Sequence, residues 1–105
     1  MVELRARLVA TDSSGNLAPA QVELGHERVT LGRAAGNGVV LQDNEVSKRH
    51  AEVLVEDGAH VLRDLGSSNG CFVNGRKVHK HRLAPGDLVE LGGCRFTYEP
   101  SGGAS

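Results

Sequence analysis

The chain has 105 residues, 39% of them hydrophobic but only 3% aromatic, and a formal net charge of −1. This length allows one modest core, the near-neutral balance steers it toward neither nucleic acid nor an anionic membrane, and no apolar run reaches the length of a membrane span. No basic stretch followed by an apolar segment opens the sequence, so no secretory signal is expected; two cysteines, Cys71 and Cys94, are too few for a disulfide framework and are expected as reduced thiols in a cytoplasmic protein, or a nuclear one in a eukaryote.

In chain order, the elements read as strand after strand. Val2, Leu4, Ala6 and Leu8 alternate with Glu3, Arg5 and Arg7, the two-residue period of a half-buried strand. Residues 11–19 are polar and read as a loop. Val22 and Leu24 alternate with polar neighbours, as do Val29 and Leu31 in a strand that ends at Gly32-Arg33. A loop at 34–38, a short strand at 39–41 and a polar loop at 42–49 follow. Ala51, Val53 and Val55 alternate with Glu52, Leu54 and Glu56; Asp57-Gly58 turns the chain into a strand at 60–65. Two Asn-Gly pairs, Asn69-Gly70 and Asn74-Gly75, then bracket a short apolar run, and each marks a tight turn. A strand at 76–78, a turn at Pro85-Gly86-Asp87 and strands at 88–91 and 94–98 complete the pattern.

About ten short strands with turn residues between them, and no helical period, predict an all-β antiparallel sandwich. Residues 1–99 form a single expected domain, with 100–105 as a frayed tail. Loops at the ends of such a sandwich carry function, and three stand out. Arg33 lies just past a strand end, Ser47-Lys48-Arg49-His50 at the start of the strand after it, and Ser67-Ser68-Asn69-Gly70 in the next loop but one. Together they offer a guanidinium, an ammonium, hydroxyls, an amide and backbone N–H groups, with no carboxylate close in sequence to serve as a base. A donor-rich set of this kind suits an oxyanion, and phosphate best.

Gly32-Arg33, Ser47-x-x-His50 and Ser68-Asn69-Gly70 resemble, in that order, the signature of the forkhead-associated (FHA) domain family. The flanking Phe72-Val73-Asn74-Gly75, Leu83-x-Pro85-Gly86-Asp87 and Gly92-x-x-x-Phe96-x-Tyr98 match it as well, so the resemblance covers residues 3–99. It implies a sandwich of about eleven strands with binding loops at one end. It also implies a monomeric module that binds phosphothreonine in partner proteins marked by a Ser/Thr kinase, with no catalysis, cofactor or metal. Carried over residue by residue, Arg33, Ser47 and Ser68 would hold the phosphate, and Lys48 would add charge beside it or point into water. Asn69 would bond the backbone of the peptide. Gly32, His50 and Gly70 would support the site, and Glu45 and Arg49 would read peptide side chains, Glu45 disfavouring acidic ones. Cys71 stands where the family usually has Thr or Ser. The preference for phosphothreonine over phosphoserine follows from the resemblance only.

Three rival readings stay open at this level. Residues 76–82, read as a basic hairpin, hold four basic side chains and two His, the composition of a nucleic-acid surface, although no aromatic residue interleaves to stack on bases. A metal site or enzyme using His79, His81 and a Cys is the second: the two His would share one face of a strand and offer two ligands, without a third nearby. A docking domain that uses its surface without phosphate is the third.

Overall fold

The computed structural model describes residues 4–11 and 20–100. These form eleven strands: β1 (Ala6–Ala10), β2 (Gln21–Leu24), β3 (Val29–Gly32), β4 (Val39–Val40), β5 (Ala51–Glu56), β6 (Ala59–Asp64), β7 (Cys71–Val73), β8 (Arg76–Val78), β9 (Lys80–Arg82), β10 (Leu88–Leu91) and β11 (Cys94–Pro100). The strands make two layers, one in the order β2-β1-β11-β10-β7-β8 and the other β4-β3-β5-β6-β9. The expected sandwich is therefore present. The two-residue period explains it: Ala6 and Leu8, Val22 and Leu24, Val89 and Leu91, and Phe96 and Tyr98 all point inward and are buried. Each large aliphatic or aromatic side chain fully enclosed this way contributes roughly 1.5–3 kcal/mol.

Several details differ from the expectation. β1 begins at Ala6, with Leu4 ahead of it and Val2 outside the described residues, as are most of the 11–19 loop and the 101–105 part of the tail. β4 runs parallel to β3, with Leu31 opposite Val39, because the chain after β3 does not fold back as a hairpin. Its backbone is taken up elsewhere: Arg33 N–H donates to Ser47 O and Ala34 N–H to Lys48 O. Asn74 and Gly75 have φ of 54° and 83°, the positive pair of a tight hairpin turn, whereas at the first Asn-Gly pair only Gly70 is positive, at 87°. That loop is therefore no hairpin. It carries the chain from β6 in one layer to β7 in the other.

The 76–82 segment is not a hairpin either. β8 pairs with β7 in the six-stranded sheet, and β9 pairs with β6 in the five-stranded one. His79 lies at the crossing, outside any strand, and its carbonyl accepts Asp64 N–H at 2.9 Å. Lys80 is ion-paired with Glu56 at 2.9 Å, and His81 Nε2 bonds Asp87 Oδ2 at 3.0 Å, so the two His do not share a strand face. Asp87 also accepts Asn74 Nδ2 and Ala84 N–H, which ties three connections together at that end of the molecule. Burial raises its carboxyl, and these donors outweigh burial and hold it below the usual range.

Of the four buried polar residues among the described ones, His50, Glu52, His60 and Asp87, two are enclosed by the sheets themselves. Glu52, which reads from its charge as solvent-facing, is 3% exposed, because Arg28 (3.2 Å) and Arg63 (3.4 Å) lie over it. His60 Nε2 lies 2.9 Å from Gly25 O, and a carbonyl only accepts. Nε2 therefore carries the proton, and Nδ1 accepts from Tyr98 OH at 2.8 Å, linking β6 to β11 across the core. Burial pushes the Tyr98 hydroxyl up.

Candidate functional site

At one end of the sandwich, residues 33–38, 42–50 and 65–70 meet. The first two are joined by backbone. Besides the Arg33–Ser47 bond (3.0 Å) and the Ala34–Lys48 bond (3.2 Å), Asn37 Nδ2 donates to Ala34 O (2.8 Å) and Lys48 O (2.7 Å). Gly32 makes this approach possible, since a side-chain carbon there would sit 2.2 Å from the Lys48 carbonyl oxygen. Arg33 Nε donates to Val46 O at 3.1 Å. This fixes the plane of an otherwise exposed guanidinium, and its two terminal amino groups have no partner among the described residues.

His50 joins the second segment to the third. It is fully buried. Ser47 N–H lies 3.1 Å from Nδ1, which must accept, so Nε2 carries the proton and donates it to Gly70 O at 2.7 Å. With both nitrogens engaged, the ring is a strut. Ser47 Oγ in turn accepts Ser68 N–H at 3.0 Å. A hydroxyl has two lone pairs and one proton, so this bond leaves the Ser47 proton free to be donated outward. Ser68 Oγ is exposed and has no partner among the described residues.

A carboxylate that the linear reading overlooked shapes the 65–70 loop. Asp64 ends β6, and its Oδ2 accepts Gly66 N–H (3.0 Å) and Ser67 N–H (3.2 Å), while Oδ1 accepts Ser67 Oγ and Cys71 Sγ (3.3 Å). Ser67 Oγ then accepts Gly70 N–H at 2.9 Å. The sequence signal is an acidic residue two positions before a glycine, the pattern in which Asp closes a turn on its own following backbone. Burial raises the Asp64 carboxyl, and its four donors outweigh that and hold it below the usual range. Burial pushes the Cys71 thiol far up, as does the adjacent carboxylate, so it stays protonated and donates as a Thr or Ser hydroxyl would. His50, Asp64 and Cys71 place ligand-type atoms within 4.8 Å of one another. Both His50 nitrogens and both Asp64 oxygens are already engaged in hydrogen bonds, and Cys71 Sγ keeps its proton and donates it to Asp64.

Asn69 Nδ2 donates to Glu45 O at 2.7 Å, drawing the tip of the third loop onto the second. Its Oδ1 and second N–H have no partner among the described residues. Glu45, Asn69, Phe72, Glu90 and Gly92 line an open groove of about 350 Å³ beside the loops. Glu45 N–H is capped by Asp43 Oδ1 at 2.7 Å, and Glu45 together with the Val46 side chain packs against Gly92, whose φ is 60°. Glu90 is paired with Arg95 at 3.0 Å; Glu45 is exposed and has no ion pair among the described residues.

The predicted residues thus converge. Arg33, Ser47, Ser68 and Asn69 surround one exposed area, with Gly32, His50 and Gly70 beneath it. Lys48 contributes its carbonyl to the clamp while its side chain stays exposed. Arg49 is set apart, lining a different small cavity with Thr30, Ala34, Gly36 and Asn37. Asn37, Asp43 and Asp64 are the supporting residues that sequence reasoning missed.

Residues 29–92 match the family model described as FHA domain. An oxoglutarate dehydrogenase inhibitor of Corynebacterium diphtheriae is 36% identical over 84 residues, which are 80% of this chain and 59% of that protein. The chain therefore spans less than two thirds of that relative. A solved structure from a structural and functional analysis of phosphothreonine-dependent FHA domain interactions superposes with a TM-score of 0.80 at 30% identity, covering 90% of this chain and 95% of that one. Mycobacterium tuberculosis EmbR in complex with a low-affinity phosphopeptide superposes with a TM-score of 0.82 at 28% identity, over 97% of this chain and 26% of EmbR.

Proposed function

The chain belongs to the FHA domain family, and on that premise we propose that it binds phosphothreonine peptides of partner proteins at the 33/47/68 loop cluster and does so without turnover. One observation carries this reading. Arg33 is held by Nε alone, and Ser47 uses its oxygen on Ser68 N–H, so two charged or polar donors face outward from one backbone clamp. Phosphothreonine brings ~1.5–2 negative charges and three acceptor oxygens. The planar Arg fork suits two of those oxygens, and the Ser47 and Ser68 hydroxyls suit the third. Lys48 lends its ammonium from the rim. Asn69 keeps one donor and one acceptor for the backbone of the peptide. Each charge-assisted bond contributes roughly 1.5–3 kcal/mol net.

Two features favour binding over chemistry. Asp64 is saturated with donors and its carboxyl is held low, which makes it a poor base. His50 has no nitrogen left for a substrate. In the groove beside Asn69, the unpaired Glu45 carboxylate and the Phe72 ring favour a basic or apolar peptide side chain over an acidic one. Titration with a phosphothreonine peptide library, against phosphoserine and unphosphorylated controls, tests the reading. Phosphothreonine peptides bind the wild-type protein and Arg33→Ala loses them. A folded Arg33→Ala that binds with wild-type affinity contradicts the binding reading, and a library enriched in Asp or Glu at the third position after the phosphothreonine contradicts the preference assigned to Glu45.

A further inference from the structure

We infer that Lys77 is a further specificity-determining residue, which selects phosphopeptides carrying a second anionic side chain near the phosphothreonine; this rests on the binding reading above. Lys77 lies on β8, opposite Phe72 of β7, and Phe72 lies opposite Glu90 of β10. Cys71 and Val73 point into the core, so the row Lys77–Phe72–Glu90 stands on the outer face of the six-stranded sheet. Beyond Glu90 the row ends in Arg95, its register partner.

The position of Lys77 is set by Gly70. A side-chain carbon at Gly70 would lie 2.6 Å from Lys77 Cε and 3.4 Å from its Cδ and Cγ. The lysine stem therefore fills the slot that the glycine leaves, and its ammonium lies one bond beyond a carbon that packs on Gly70, the last residue of the loop that holds Ser68 and Asn69. The role of Gly70 is then double: it accepts the positive φ of 87° and it seats a neighbouring cation. A lysine on an open sheet face has a large rotamer choice. Here part of that choice is removed in advance, which lowers the cost of using the charge.

The charge is also uncommitted. Glu90 is neutralised by Arg95 and Lys80 by Glu56, whereas Lys77 has no ion pair among the described residues. Lys77 stands on the β8 side of Phe72, and Glu45 lines the groove on the β10 side with Glu90. The surface beside the phosphate loops is thus positive on one flank and negative on the other. A peptide laid across it is read for opposite charges at two different positions. The anionic group is an Asp or Glu carboxylate or a second phosphorylated side chain, which share this chemistry.

The test is fluorescence-polarisation titration of the protein with a neutral-flanked phosphothreonine peptide and with the same peptide bearing Glu, or phosphoserine, at each flanking position in turn. The readout is the ratio of affinities to the neutral peptide, which cancels any uniform effect on phosphate binding. At one position, other than the third after the phosphothreonine that Glu45 faces, the ratio rises about two- to fivefold for Glu and further for phosphoserine. In Lys77→Met, which keeps the stem against Gly70, it falls to one; in Lys77→Arg it is retained; in Lys77→Glu it inverts. A ratio of one at every position in the wild-type protein, or a raised ratio that survives Lys77→Met, overturns the inference alone. Failure of the neutral phosphopeptide to bind at all overturns the binding reading and this inference with it.

Discussion

Replacing Gly32 by Ala tests the clamp on which the whole site depends. The new carbon would meet Lys48 O at 2.2 Å, Lys48 C at 2.9 Å and Asn37 Nδ2 at 2.8 Å. The first two are backbone, fixed by β5 on one side and by the Arg33 and Ala34 bonds on the other, so they cannot swing aside. The segments must part, with overpacking that costs about 1–3 kcal/mol and strained or lost Arg33–Ser47 and Ala34–Lys48 bonds at about 1 kcal/mol each. A loss of about 2–4 kcal/mol moves the urea midpoint down by roughly 1–2 M for a domain of this size. It leaves the protein folded in water if its stability lies in the usual range of about 5–15 kcal/mol. Phosphopeptide affinity falls further than stability alone requires, because Arg33 and Ser47 move apart. Gly36→Ala is the control: it lies in the loop that follows Gly32, but nothing stands within 4 Å of its added carbon. Urea unfolding and peptide titration of the two variants side by side decide the matter. If Gly32→Ala unfolds at the Gly36→Ala midpoint and binds equally well, the clamp is not what positions the site.

Ser47→Ala removes both an outward donor and the acceptor of Ser68 N–H, and calorimetric titration should show phosphopeptide affinity reduced about 10- to 100-fold. Cys71→Ser keeps a donor to Asp64 and should leave thermal stability and binding near wild type, whereas Cys71→Val removes the donor and costs about 1 kcal/mol in denaturant unfolding; equal behaviour of the two would mean that the thiol contact contributes nothing. Because the Asp64 carboxyl is held low when folded, its contribution is present above the ordinary carboxylate range, near pH 3.8, and is lost as pH falls through its lower folded value. Asp64→Asn should therefore flatten the stability profile measured below about pH 4, and an unchanged acid limb would argue against this role.

The strands were legible because burial on one face writes a two-residue period into the chain, as in Val22-Glu23-Leu24 or Val89-Glu90-Leu91. The site residues were legible as a donor-rich set, and their individual roles through the family resemblance. What was not legible depends on partners distant in sequence. Glu52 reads as exposed until Arg63, its register partner, and Arg28 are placed over it. Gly32 reads as a strand end until the Lys48 carbonyl is brought against it. The 76–82 segment reads as a hairpin by composition, yet it has no Gly, Asn or Pro at its middle to reverse the chain. His79 instead marks a passage between layers. Lys77 carries no distinguishing signal in sequence, because its meaning comes from the slot at Gly70.

The passage of residues 65–70 from one sheet to the other has a mechanical consequence. Arg33 and Ser47 are anchored on strands of the five-stranded sheet, whereas Ser68 and Asn69 sit on the bridge that leads into β7 of the six-stranded one. An anion gripped by both groups acts as a rivet through the two layers. Pulling the sheets apart would then require breaking the grip first, so amide hydrogen exchange should slow on ligation in β7 and β10 of one sheet as well as in β3 and β5 of the other.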